Sequence, residues 1–293
     1  MELASPEPPW RLAGSLICLA PLAPAEAAAP RRRRAIGRRP RWAGNFGLVV
    51  VDTALVRALP FLSAGGFAGL AETRGWGLLQ AVGPLPAWVA IAASIVLLDL
   101  AIYLQHVLFH ALPALWRLHR LHHTDLDLDV TTGVRFHPVE ILLSAGIRVG
   151  VVGILGAPIA GVIAFEILLN AGSLFSHANL RLPERADRLL RMVIVTPDMH
   201  RVHHSIDGAE RDRNFGFTLS WWDGLFGTYH AQPRQGDDAM ELGVAGFAGR
   251  DALGFGHLLI QPLLRERATV GGTAPHATLT GGRHGGDGAR SRT

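Results

Sequence analysis

The chain has 293 residues, 49% of them apolar and only 18% charged, with a mean hydropathy of +0.24; this balance points to a membrane protein with a substantial part outside the bilayer. All 28 basic residues are Arg, and with no basic stripe interleaved with aromatics the sequence argues against nucleic-acid binding. The single Cys18 excludes an internal disulfide, a Cys-ligated iron–sulfur cluster and a C-x-x-C-H haem attachment, and there is no dinucleotide fingerprint or P-loop.

In chain order, residues 14–29 are apolar but broken by prolines and Glu26. They read as a poor membrane-associated helix, with a signal peptide disfavoured by the acidic start. Arg31 to Arg34, with Arg38, Arg39 and Arg41, mark a cytoplasmic flank. A weak span covers Asn45 to Leu62, interrupted by Asp52 and Arg57. The clearest span is Pro86 to Gln105, long enough at about 1.5 Å per residue to cross a core of about 30 Å. Residues 139–172 are too long for one straight span, and Pro158 with its neighbouring glycines predicts a hairpin of two short helices. Out through the first span, back through the second and around the hairpin, the chain brings His106, His177 and His200 to one cytoplasmic side. From about Arg267 the sequence reads as a disordered tail in which His276 and His284 are solvated.

The histidines carry the chemistry. LHRLHH (118–123) and MHRVHH (199–204) both contain H-x-x-H-H, and a single such match in a chain with 14 His is roughly a three-per-cent event. His119, His122 and His123, like His200, His203 and His204, have the i, i+3, i+4 spacing that clusters side chains on a helix. Asp99, Tyr103, His106 and His110 fall within roughly 60° of one another on the Pro86 helix. There Asp99 is placed to orient a ligand imidazole. A solvated basic face would use Arg, this chain's habitual choice, so the pattern points to metal. Eight imidazoles exceed what one catalytic ion takes and suit two ions at about four each, with His177 as a ninth candidate. His137 competes between an outer-sphere role and helix capping; His230 and His257 read as structural. Asp125, Asp127 and Asp129 lack the rest of a calcium loop and read as a solvated turn or outer support.

With DLAIYLQHVLFH, LWRLHRLHHTD, TTGVRFHPVE, SHANL, VTPDMHRVHHS, RNFGF and SWWDGLFGTY in that order, the chain resembles the fatty acid hydroxylase/sterol desaturase superfamily from about Ala43 to Tyr229. The resemblance implies an all-α integral membrane protein with about four membrane-inserted helices and a cytosolic helical cap. It implies two non-haem irons held by His106, His110, His119, His122, His123, His200, His203 and His204, with His177 as the extra ligand, and O2 attacking a lipid C–H bond. Val107 and Phe215 depart from residues common in the family without touching a ligand. Asn214 and Asp223 are outer-sphere candidates beside Asp99, Tyr103 and His137, and Trp221 and Trp222 are open between packing and interfacial roles. The division expected is 1–42 an N-terminal segment, 43–235 the hydroxylase-like domain, 236–266 an extension and 267–293 the tail. Electrons would come from a ferredoxin, rubredoxin or cytochrome b5-type protein with its reductase, at the cytoplasmic face of a bacterial inner membrane. Two rival readings remain: a di-zinc lipid hydrolase on the same histidines, and a non-catalytic lipid- or metal-binding membrane protein.

Overall fold

A computed structural model describes residues 10–247 and 253–265; the expected tail, with His276 and His284, lies outside the described residues. The described residues form helices and isolated bridges but no strands. They run α1 (Trp10–Ala28), α2 (Arg38–Ala58), α3 (Ala64–Arg74), α4 (Leu78–Ala81), α5 (Ala87–Ala111), α6 (Pro113–His123), α7 (Pro138–Leu155), α8 (Ile159–His177), α9 (Glu184–Leu190), α10 (Pro197–His203), α11 (Gly208–Arg211), α12 (Trp221–Leu225) and α13 (Phe255–Ile260). The protein is an all-α membrane protein.

Three helices, α5, α7 and α8, are long and apolar enough to cross a membrane. Along α5 the buried residues Leu98, Ile102, Tyr103, His106 and Phe109 recur at helical spacing, while Leu97, Leu104 and Leu108 face outward. Such a helix, apolar on its outside as well as its inside, is suited to a lipid solvent. The inward faces of α3, α5, α7 and α8 meet in a core of Ala68, Leu98, Ile102, Val152, Val162 and Phe165. The predicted hairpin is α7 and α8: α7 ends on Gly156 in the left-handed conformation at φ 63°, and Pro158 caps α8. A side chain at Gly156 would meet the Trp76 carbonyl at 2.1 Å, so the turn needs glycine for its approach as well as its φ.

The weak span differs from its expected limits. It begins at Arg38 as α2 and stops at Ala58, because Leu59 precedes Pro60 and leaves the helical region. Its buried face holds Arg41, Asn45 and Asp52, and it is not among the three apolar candidates. The chain reaches α5 through α3, a helix that sequence reading did not anticipate.

The Arg-rich stretch folds into the cap instead of standing in solvent. Arg41 is fully buried, donating to Asp125 at 2.6 and 2.8 Å and to Asp129 at 2.7 Å. Asp127 accepts from the backbone N–H groups of Ala35 and Ile36. The acidic run is therefore no solvated turn: it is the counter-charge for this chain's N-terminal arginines. Buried Glu26 closes the same layer, pairing with Arg34 and Arg38 and accepting from the N–H groups of Val130 and Asn179. In the 236–266 stretch, Leu258 packs against Leu48 and Leu121.

Candidate metal centre

The C-terminal ends of α5 and α8 and the N-terminal end of α7 lie together, with α6 packed on α5 and α7, and α10 on α8. This places every boxed histidine at one end of the three apolar helices. Pro113 and Pro197 start α6 and α10, and the Thr196 hydroxyl caps α10 by accepting from Met199 N–H. Arg120 and Arg201 of the twin motifs point away from the histidines. Arg120 donates to the carbonyls of Gln261 and Leu264, and Arg201 pairs with Asp198, which also binds Arg31.

The nine predicted histidines converge in two groups, each with its ligand atoms within 4.8 Å of one another. One is His106, His110, His119, His123 and His203; the other is His122, His177, His200 and His204. Each twin motif divides the same way: the i and i+4 imidazoles serve one group and the i+3 imidazole serves the other. His119 and His123 join the first while His122 joins the second; His200 and His204 join the second while His203 joins the first. The helix turn does this, because i and i+4 overlie one another and i+3 is offset around the axis.

Six of the nine aim Nδ1 at an oxygen. The acceptors are Phe215 O for His106 (2.8 Å), Asp212 for His110 (3.0 Å), Glu140 for His119 (2.7 Å), Arg135 O for His122 (3.3 Å), Ser173 O for His177 (2.7 Å) and Arg213 O for His203 (2.8 Å). A carbonyl only accepts, so Nδ1 of His106, His122, His177 and His203 carries the proton and Nε2 of each is a bare lone pair. Yet His106 Nε2 lies 3.0 Å from His119 Nε2, and the bare Nε2 atoms of His122 and His177 lie 2.9 Å apart. Two lone pairs cannot face each other at that range without a cation. Protonation is opposed by burial, which lowers His119 to about 3 and holds His122, His123, His200, His203 and His204 well below their ordinary range. A metal ion fits the donor set. His200 and His204 add Nε2 atoms at 3.0 and 3.2 Å from that of His177.

The outer support differs in part from expectation. Asp99 reaches no imidazole: its Oδ2 accepts from Trp222 Nε1 at 2.8 Å and Leu219 N–H at 3.2 Å, because it faces the α12 segment. Trp222 is thereby a packing residue, whereas Trp221 is half exposed. Tyr103 bonds Thr228 at 2.8 Å, and Thr228 donates to Asp223. Asp223 also accepts from the N–H groups of Phe215 and Gly216, both at 2.8 Å, fixing the carbonyl that holds His106. Asn214, at φ 51°, donates to Met199 O and His230 O, tying α10 to the 228–230 loop. His137 caps α7, accepting from Val139 N–H, with its other nitrogen on Leu259 O; it joins neither group, and nor do His230 and His257. Sequence reasoning missed Glu140 and Asp212. Glu140 was legible within the quoted RFHPVE stretch, as a carboxylate one turn inside a helix start.

A cavity of about 250 Å³ lies between α2, α5, α7 and α8 against His106 and His119. Its apolar wall includes Val49, Ile102, Phe109, Phe136 and Leu169. It touches the five-histidine group and not the four.

Residues 91–228 match the fatty acid hydroxylase family. That stretch holds all nine converging histidines and is similar to the fatty acid hydroxylase/sterol desaturase superfamily. The chain is 31% identical over 181 residues to the ornithine lipid hydroxylase OlsE of Rhizobium tropici, covering 62% of this chain and 52% of that protein. It is 28% identical to the alkylglycerol monooxygenase of Homo sapiens, over 46% of this chain and 29% of the relative. It is 26% identical to the fatty acid hydroxylase vlmA of a Lecanicillium species, over 48% and 42%. The chain spans about half or less of the length of these curated relatives. No solved structure matches.

Substituting Asp223→Asn removes one acceptor from the Phe215–Gly216 turn and frees the carbonyl behind His106. The expected result is metal affinity at the five-histidine group lowered about 10- to 100-fold, read by chelator competition, with the four-histidine group unchanged.

Proposed function

We propose that the protein is a membrane-bound non-haem di-iron oxidoreductase that hydroxylates or desaturates a lipid C–H bond with O2 and external electrons. The observation that carries this reading is the convergence of nine histidines in two groups, with the bare Nε2 atoms of His122 and His177 only 2.9 Å apart. His106, His110, His119, His123 and His203 would hold one iron, and His122, His177, His200 and His204 the other. When bound, the irons would supply the activation of O2, and an all-imidazole donor set suits a borderline metal such as iron.

The chain's own part is positional. The Nδ1 acceptors fix the tautomers, and the Phe215 ring, 5.1 Å from that of His110 and 5.6 Å from that of His203, covers the five-histidine group. The cavity would present the lipid beside His106 and His119. The hydroxylase names of the relatives support lipid as the substrate class. Hydroxylation balances as a C–H bond, O2, two electrons and two protons giving an alcohol and water. The two electrons would come from a ferredoxin, rubredoxin or cytochrome b5-type donor with its reductase, docking where the histidine end of the bundle meets the cytoplasm of a bacterial inner membrane.

Iron-loaded protein in detergent, given membrane lipids, O2 and a reduced ferredoxin, should yield lipids gaining one oxygen or losing two hydrogens by mass spectrometry. The same mixture under argon should yield none. Lipid turnover without O2, in iron- or zinc-loaded protein, would overturn the oxygenase reading.

A further inference from the structure

We infer that the cavity against His106 and His119 contains a recognition site for the ammonium group of a lipid, formed by Asp52 of α2 and the outer carboxylate oxygen of Glu140. The inference rests on the lipid-oxygenase reading and adds the chemistry of the substrate's polar end.

Both side chains line the cavity, and both are more than nine-tenths buried, Asp52 at 8% exposure and Glu140 at 4%. Asp52 Oδ1 has no hydrogen-bond partner. Glu140 Oε1 is occupied by His119 Nδ1, and its Oε2 has none. Burial, and then the neighbouring Glu140, push the Asp52 carboxyl up to about 8, and the two buried carboxyl groups line one space with an oxygen of each unpartnered. A buried carboxylate without a partner is costly, and a native site keeps one where a ligand completes it. An ammonium carries a positive charge and three N–H donors, so it would complete both oxygens and favour their ionised form. Asp52 makes no ion pair among the described residues, although Arg57 and Arg148 line the same cavity. Apolar Val49, Val56 and Ile102 complete the wall for the adjoining methylenes.

The test is isothermal titration of iron-loaded protein in maltoside micelles under argon, so that no turnover is needed. The probes are tetradecylamine, tetradecanol of the same chain length, and soluble butylamine. Wild type should bind tetradecylamine about tenfold or more tightly than tetradecanol, with butylamine weaker than both. Asp52→Asn should bring the amine-to-alcohol ratio close to one while keeping its iron and its affinity for the alcohol. Equal affinity for amine and alcohol in wild type, or a ratio unchanged in Asp52→Asn, would overturn the site. Butylamine binding as tightly as tetradecylamine would assign it to soluble amines and overturn the lipid. If Asp52→Asn does not fold, the wild-type comparison still decides, with Asp52→Ser as the second variant. Loss of iron or of O2 dependence would sink the oxygenase reading instead, which separates the two failures.

Discussion

His177→Ala is expected to lower bound iron from two ions per chain to about one and to abolish lipid turnover. His177 is the hub of the four-histidine group: its Nε2 lies 2.9, 3.0 and 3.2 Å from those of His122, His200 and His204. Its removal leaves His122, His200 and His204 without the imidazole that faces each of them, while the five-histidine group keeps every member. Even outer-sphere substitutions cost metal sites about 10- to 100-fold in affinity or activity, so loss of this ligand should exceed about a hundredfold in turnover. Iron analysis by mass spectrometry together with lipid product measurement checks both parts. His257→Ala is the control, since His257 lies on α13 outside both groups. Two irons retained in His177→Ala would exclude it as a ligand and return the site to eight histidines.

The prominence of His177 shows what sequence can and cannot carry. The H-x-x-H-H spacing and the hairpin were readable because helix periodicity and span length are periodic, local properties; together they bring His106, His177 and His200 to one end of the bundle. The five-and-four division was not readable, because it depends on how α6 and α10 pack on the bundle. Four of the six Nδ1 acceptors are backbone carbonyls, at Arg135, Ser173, Arg213 and Phe215. Every residue has a carbonyl, so these leave no mark on residue identity. Asp99 misled for a related reason. Sharing a stripe with His106 fixes its direction from the helix axis, but not which segment packs there, and α12 supplied Trp222. The acidic run stayed open between a solvated turn and outer support because its partner Arg41 lies more than eighty residues away in sequence. Gly133 shows the same limit: a Cβ there would lie 2.6 Å from Ser173 O, the acceptor for His177, so the absence of a side chain lets this loop press on α8.

Arg41→Ala should be the most destabilising single change outside the histidines. The guanidinium is fully buried and donates to Asp125, Asp129 and Thr132. Burial alone would raise Asp125, but Arg41 outweighs it and holds that carboxyl at about 2. Removing the cation strands two buried carboxylates, and breaking a buried pair in this way costs about 3–5 kcal/mol. In a chain of this size that corresponds to a fall in Tm on the order of 10 °C, measurable by thermal unfolding in detergent. The effect should also reach the metal. Thr132 bonds Asp125, and Arg135 lies in the same layer, donating to Leu121 O, Thr124 and Asn45. The Arg135 carbonyl is in turn the acceptor for His122 Nδ1. Arg41→Ala should therefore weaken the four-histidine group more than the five. Adding Asp125→Asn and Asp129→Asn should recover part of the lost Tm, because the cost lies mainly in the stranded charges and not in the absent guanidinium. A triple variant no more stable than Arg41→Ala would locate the cost in packing around Arg41 instead.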